Sequence, residues 1–277
     1  MKHPLFCGVA ALVLLSAHSV FAQGGAARYQ QVLETSVKPG QELVYENYVK
    51  KVVAAADKVG AKMSWTTYSV SLGKPGATYR VALSFDSWTD REAWSSVPAM
   101  MVKAYGQQEA ERLMKEGGSA IERSVTEVWE NLPDASANTG GGGAGAAPPN
   151  FVEVQIVRVQ PAMSAAYEAL LAKFKAAYEA APGKPNVGRS VLRMGTFNGY
   201  TYRRTHQFSK MSELAHQFSK MSELDTPTGP AILQKHFGAQ WAAMSDELNK
   251  MITFRQDFVS TRRADLSRTA APTTSSR

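Results

Sequence analysis

From Tyr29 onward the chain carries one pattern twice, and this limits its possible folds more than any composition figure. Val37-Lys38-Pro39, Tyr45-Glu46 and Lys51 return as Val159-Gln160-Pro161, Tyr167-Glu168 and Lys173, at a constant offset of 122. Thr78-Tyr79-Arg80 and Phe85 return as Thr201-Tyr202-Arg203 and Phe208 at 123, and Pro98-Ala99 as Pro230-Ala231 at 132. Three matches in the same order point to duplication of a whole domain rather than a solenoid. The late jump in offset has a visible source. The nonapeptide from His206 to Leu214 is followed, after Ala215, by an identical copy from His216 to Leu224. That is a ten-residue insertion, of the kind surface connections accept at small cost.

The first 22 residues read as a secretory leader: Lys2 and His3, an apolar run through Leu15, and Val20-Phe21-Ala22 before the cut. The run is too short for a membrane span, and no later segment has the length for one. Cys7 is the sole cysteine and leaves with the leader, so stability without disulfides must come from packing. The expected destination is the periplasm or the outside of the cell. The remaining chain holds 30 Lys and Arg against 24 Asp and Glu, and the excess lies partly in the last residues. No basic stripe interleaved with aromatics appears, so nucleic acid is not an expected partner.

A linker rich in Gly and Pro separates the copies. The organisation expected is a leader at 1–22, repeat one at 23–136, a linker at 137–150, repeat two at 151–267 and a disordered tail at 268–277. Apolar alternation predicts a strand at 29–37 and three- and four-residue spacing a helix at 43–59. Strands at 63–72 and 78–85 flank Gly73-Lys74-Pro75-Gly76. A broken helix, capped by Thr89 or Asp90 and carrying Pro98, precedes a strand at 125–129. Repeat two follows suit, with strands at 151–159, around Asn198-Gly199 and at 253–259, and helices at 165–181 and 231–250.

The order β-α-β-β-α-β, twice, is the ferredoxin-like unit: an α+β fold whose sheet has one face covered by helices and one open. Two such repeats are expected to pack open face to open face as an internal pseudodimer. With Phe85-Asp86-Ser87-Trp88 before a helix, this order resembles the dimeric α+β barrel superfamily. That superfamily includes proteins like the antibiotic-biosynthesis monooxygenases, NIPSNAP and chlorite dismutase. The resemblance implies a cavity between the sheets. It spans cofactor-free oxygenases, haem proteins and proteins without known catalysis, so it speaks to fold more than to function.

Signatures of zinc proteases, redox dithiols, nucleophile elbows, P-loops and dinucleotide folds are absent. By period two, Tyr79, Val81, Leu83 and Phe85 share one strand face, matched by Tyr202, Arg204, His206 and Phe208. Arg80 and Arg203 lie on the opposite faces. If those faces line the cavity, the arginines can bind a carboxylate or phosphate; the plainer reading pairs them with Glu34, Glu153 or another acid. Arg204 and His206 make repeat two the more polar copy and join the candidate ligand set. Trp65 and Trp88 are candidate pocket walls, although such residues more often serve as core. His236 stands where repeat one has Ala104. The resemblance implies an axial haem ligand there, against the plainer reading of a surface histidine. Tyr45-Glu46 and Tyr167-Glu168 suggest shared packing, with each Tyr on the sheet and each Glu toward water.

The expectation is therefore an exported chain that binds a small, partly apolar or anionic molecule between its repeats. No cofactor is required, though haem is possible. The alternative is an oxidoreductase, either haem-dependent through His236 or cofactor-free. A further alternative is an envelope protein that binds a partner.

Overall fold

A computed structural model describes residues 27–139, 148–182, 185–195, 199–208, 210 and 229–269. The leader, most of the glycine-rich linker, Asn198, the second nonapeptide copy and the chain beyond 269 lie outside the described residues.

The first half runs β1 (Tyr29–Val37), α1 (Glu42–Lys58), β2 (Thr66–Leu72), β3 (Ala77–Phe85), α2 (Trp88–Glu92), α3 (Val97–Tyr105), α4 (Gln107–Ser119) and β4 (Ile121–Asn131). The second runs β5 (Phe151–Val159), α5 (Ser164–Ala180), β6 (Val187–Met194), β7 (Thr201–Phe208), α6 (Gly229–Phe237), α7 (Gln240–Met251) and β8 (Ile252–Arg262). Ser87, not Thr89 or Asp90, caps α2. It accepts from the Asp90 N–H while the Asp90 carboxylate accepts from the Ser87 N–H, a reciprocal capping box. Pro98 sits in the first turn of α3, where its missing donor costs nothing. The helix expected at 231–250 is two helices, broken near Gly238, whose φ of +55° suits glycine; Gly106, at +82°, breaks α3 from α4 in the same way.

The eight strands close into one antiparallel barrel in the order β1-β3-β2-β8-β5-β7-β6-β4. Within the first half β1 lies between β3 and β4, and β2 lies beside β3; β5, β7, β8 and β6 repeat that pairing. Two seams join the halves, β2 with β8 and β4 with β6. Closure leaves no free sheet edge. It also sorts every strand residue into barrel interior or helix-facing exterior.

Outside, α1, α3 and α4 bury Val52, Ala55, Met100, Met101 and Leu113 with Trp65 over the first half. Over the second, α5, α6 and α7 bury Phe174, Leu171, Tyr178, Ile232 and Leu233 against Val191 and Tyr202. Each fully buried large side chain contributes about 1.5–3 kcal/mol.

After β4, residues 132–137 cross to the second half. The Leu132 N–H donates to the Arg189 carbonyl, Ala137 pairs with Val187, and Ala135 packs beneath α5. After β8, residues 263–268 cross the other way. Trp65 pairs with Arg268, Leu266 packs beneath α1, and Arg263 bonds the Glu46 carboxylate. These straps run beyond the points where sequence put the start of linker and tail. Ala137 is fully buried, and buried Arg268 bonds Asp57 and the Met63 carbonyl.

Candidate functional site

The barrel interior opens into a chamber of about 890 Å³. Its walls carry Val32, Tyr68, Arg80, Ala82, Val152, Val154, Gly188, Arg203, Thr205 and Ser260. Period-two alternation in β3 and β7 turns Arg80 and Arg203 inward, while Tyr79 and Tyr202 pack outward against Tyr45 and Tyr167. Both arginines line the same cavity.

Their settings differ. Arg80 faces Glu34 across the β1–β3 ladder, with Nε 3.3 Å from a carboxylate oxygen, and its guanidinium lies 4.8 Å from the Phe258 ring centre. The Glu34 contact is too poorly aligned for a hydrogen bond, so Arg80 Nε and Nη2 are buried without a partner. Lys74, on the β2–β3 turn, also bonds Glu34 and lies 4.6 Å over Phe258. Arg203 faces Ile156, not an acid. Its Nε donates to Ser190 Oγ at 3.0 Å, and its guanidinium stands 4.8 Å from the Trp129 ring centre. Among the described residues no carboxylate bridges to Arg203, and its two terminal nitrogens have no hydrogen bond.

Burial dominates the electrostatics. It depresses Arg80, against the pull of Glu34, Glu127 and Tyr68. It pushes Arg203 down to about 9, helped by the like charge of Arg80 and opposed by Glu127. An arginine side chain keeps its proton inside proteins, so both are cations near neutrality. Burial pushes Tyr68 up to about 12, against Arg262 and Arg80, so its hydroxyl stays protonated and able to donate. Two guanidiniums and a phenol thus line a chamber whose walls mix polar and apolar side chains. A cation within about 4–6 Å lowers the pKa of a bound enol or phenol by about 1–3 units.

The other candidate residues lie elsewhere. Arg204 and His206 are on the outer face of β7. Arg204 Nη2 bridges Glu153 at 3.1 Å, whereas the acid pairing expected as the plainer reading for Arg80 and Arg203 is met at Arg80, by Glu34. The His206 ring is 4.0 Å from Glu153, too far for a good hydrogen bond, so burial wins, aided by Arg204 and Arg189, and holds it down to about 4. Trp65 is buried under α1, its Nε1 donating to the Leu266 carbonyl. Trp88 is 42 % exposed and leans on Tyr29 and Phe85. Glu46 and Glu168 do not simply face water: each accepts from the tyrosine beneath, Tyr79 at 2.6 Å and Tyr202 at 2.8 Å.

His236 is exposed on α6, its ring edge-on to Phe237 beside a shallow hollow of Ala177, Ala180, Ala181, Pro182 and Ile232. A haem ligand needs an apolar slot that covers both macrocycle faces. The described residues around His236 form no such slot. No group of metal-binding side chains occurs among the described residues, and none of their helices is long and apolar enough to cross a membrane.

Sequence reasoning passed over Tyr68, Trp129, Ser190 and Phe258. Alternation puts each on an inward face, and that signal was available.

No protein-family model matches the chain, and no curated protein does. Solved structures do. A putative monooxygenase from Lactobacillus acidophilus NCFM aligns at a TM-score of 0.50, 11% identity, over 88% of this chain and 96% of its own. An anthrone oxidase-like protein aligns at 0.51, 13% identity, over 88% and 94%. At such identities the likeness establishes the fold, the α+β barrel the sequence resembles. A putative chlorite dismutase, TA0507, covers 86% of this chain at 9% identity, but a TM-score of 0.46 is too loose to carry an argument about haem.

Proposed function

We propose that this chain is an exported internal pseudodimer of two ferredoxin-like repeats that binds a small, partly apolar molecule in its barrel and stabilises it as an oxyanion. Arg80 and Arg203, both buried in one chamber, carry this reading. The duplication is supported by the matched strand pairing, the reciprocal straps and the recurring Tyr–Glu bonds.

The second reading adds turnover: an oxidoreductase that needs no cofactor. The full-length fold likeness to a putative monooxygenase and an anthrone oxidase-like protein favours it over binding alone. The chemistry suits the chamber. An anthrone enol loses its proton to solvent, the arginines stabilise the enolate, and the enolate gives its electrons to dioxygen. Anthrone and one O₂ then yield anthraquinone and one water. Oxygen uptake with anthrone, in metal-chelated buffer, tests this. The expected result is uptake matched by anthraquinone and lowered on the order of tenfold or more in Arg80→Met/Arg203→Met, since charged hydrogen bonds are worth about 1.5–3 kcal/mol each. Binding of the enolate chromophore without uptake leaves a binding protein. Neither binding nor uptake, with anthrone or any aryl oxyanion, removes both readings.

A further inference from the structure

We infer that the seam between β2 and β8 holds a second subsite of the chamber, where Tyr68 and Ser260 take an uncharged oxygen of the ligand while the arginines hold its anionic group. This rests on the oxyanion reading above and adds the residues that select the ligand's other end.

The two seams match in strand pairing but not in what fills them. Trp129 of β4 lies opposite Gln30 of β1 and Leu192 of β6. Ser260 of β8 holds the equivalent place at the other seam, opposite Val152 of β5 and Val70 of β2. The β4–β6 seam is plugged: Trp129 and Leu192 are buried and pack with Val32 and Ile156. At the β2–β8 seam a hydroxymethyl group stands in place of that indole. The room is left to the chamber, which Ser260 lines together with Tyr68, Val152 and Val154, and which neither Trp129 nor Leu192 lines.

The second observation is unmet hydrogen bonding. Ser260 is 2 % exposed, and its Oγ has no partner. A buried hydroxyl without a partner costs stability, and native chains keep few of them. Among the described residues the Tyr68 hydroxyl has no hydrogen bond either. Its counterpart in the second half, Ser190, is already engaged, accepting from Arg203 Nε at 3.0 Å. Tyr68 lies between Arg80 and Arg262 across its two ladders, and both cations act on it. Each of the two hydroxyls is neutral and can donate or accept, which suits a hydroxyl or carbonyl oxygen. β2 stands three strands round the barrel from β7, so a ligand with its anion on Arg203 and its second oxygen at this seam spans the chamber.

Calorimetric titration of the full chain at pH 7 with 3-(4-hydroxyphenyl)propanoate and 3-phenylpropanoate tests this, since the two differ by one hydroxyl. The hydroxylated acid should bind tighter by on the order of tenfold. Ser260→Ala and Tyr68→Phe should each shrink that preference and leave 3-phenylpropanoate unchanged. Ser260→Ala should not lower the unfolding midpoint, because it removes an unpaired hydroxyl. Ser260→Trp, which copies Trp129, should abolish binding of both acids. Circular dichroism checks that each variant folds, and Ser260→Ala decides the matter if Ser260→Trp does not. Equal binding of the two acids by the unaltered chain overturns the inference and leaves the oxyanion reading standing. So does a preference that survives both Ser260→Ala and Tyr68→Phe, or tighter binding of 3-(4-carboxyphenyl)propanoate than of the phenol. If no acid binds, the inference and the oxyanion reading fall together.

Discussion

The inside and the outside of this barrel treat buried charge differently. On the outer face of the second half, Arg204 and His206 replace the apolar Val81 and Leu83 of the first, and Glu153 accompanies them. There the charge is used for packing: Arg204 is bridged, and His206 is held neutral. Inside, the change runs the other way. The first half sets Glu34 against Arg80, while the second sets Ile156 against Arg203 and leaves that cation without an ion pair among the described residues. With one ion-paired arginine and one that has no ion pair, the two halves differ, and the interior has a polar direction from one half to the other. A symmetric pair would lack that direction. Directionality is what a chamber needs to hold an asymmetric molecule in one orientation.

The two straps give the largest test of how far the halves differ. Leu266 fills a closed pocket under α1, where Ala135 serves under α5. Leu266→Ala should cost about 2–5 kcal/mol of unfolding free energy, and Ala135→Gly about 1, measured by denaturant titration. Equal losses would mean that the straps are energetically interchangeable.

A smaller effect separates the outer faces. His206 has a folded pKa of about 4 against 6.5 for a free side chain, so the unfolded chain binds the extra proton first. Its neutral form is compatible with full stability above about pH 6.5, and stability is lost as pH falls from there through about 4, by at most about 3 kcal/mol. His206→Leu copies Leu83 of the first half and should flatten the stability profile between pH 6.5 and 4. An unchanged slope would show that the acid sensitivity comes from other groups.

Much of this was legible from the chain. Alternation in 78–85 and 201–208 put Arg80 and Arg203 on matching faces, whereas the exchange of Glu34 for Ile156 at the 122 offset went unread. The straps were not legible. Residues 132–137 and 263–268 carry no apolar period, and their burial depends on distant partners, 53 residues away for Ser136 and 211 for Arg268. The Tyr79–Glu46 and Tyr202–Glu168 bonds were hidden for a similar reason, since they depend on how each first helix rotates on its sheet. His236 shows the opposite failure. A residue present in one copy and absent from the other attracted attention, yet it lies in the open on α6. Arg204 and His206 were assigned to the ligand while sharing a face with Tyr202, and that face turned out to belong to the helices.

The central claim is that the barrel interior, not its outer surface, is the binding site. Soaking crystals with 5-bromo-1-naphthoate and locating the bromine by anomalous scattering tests this most directly. The account predicts a peak inside the barrel, with the carboxylate on Arg203 and the ring along Val152 and Val154. A peak beside Arg204 and His206, or in the hollow under His236, with the interior empty, would contradict it.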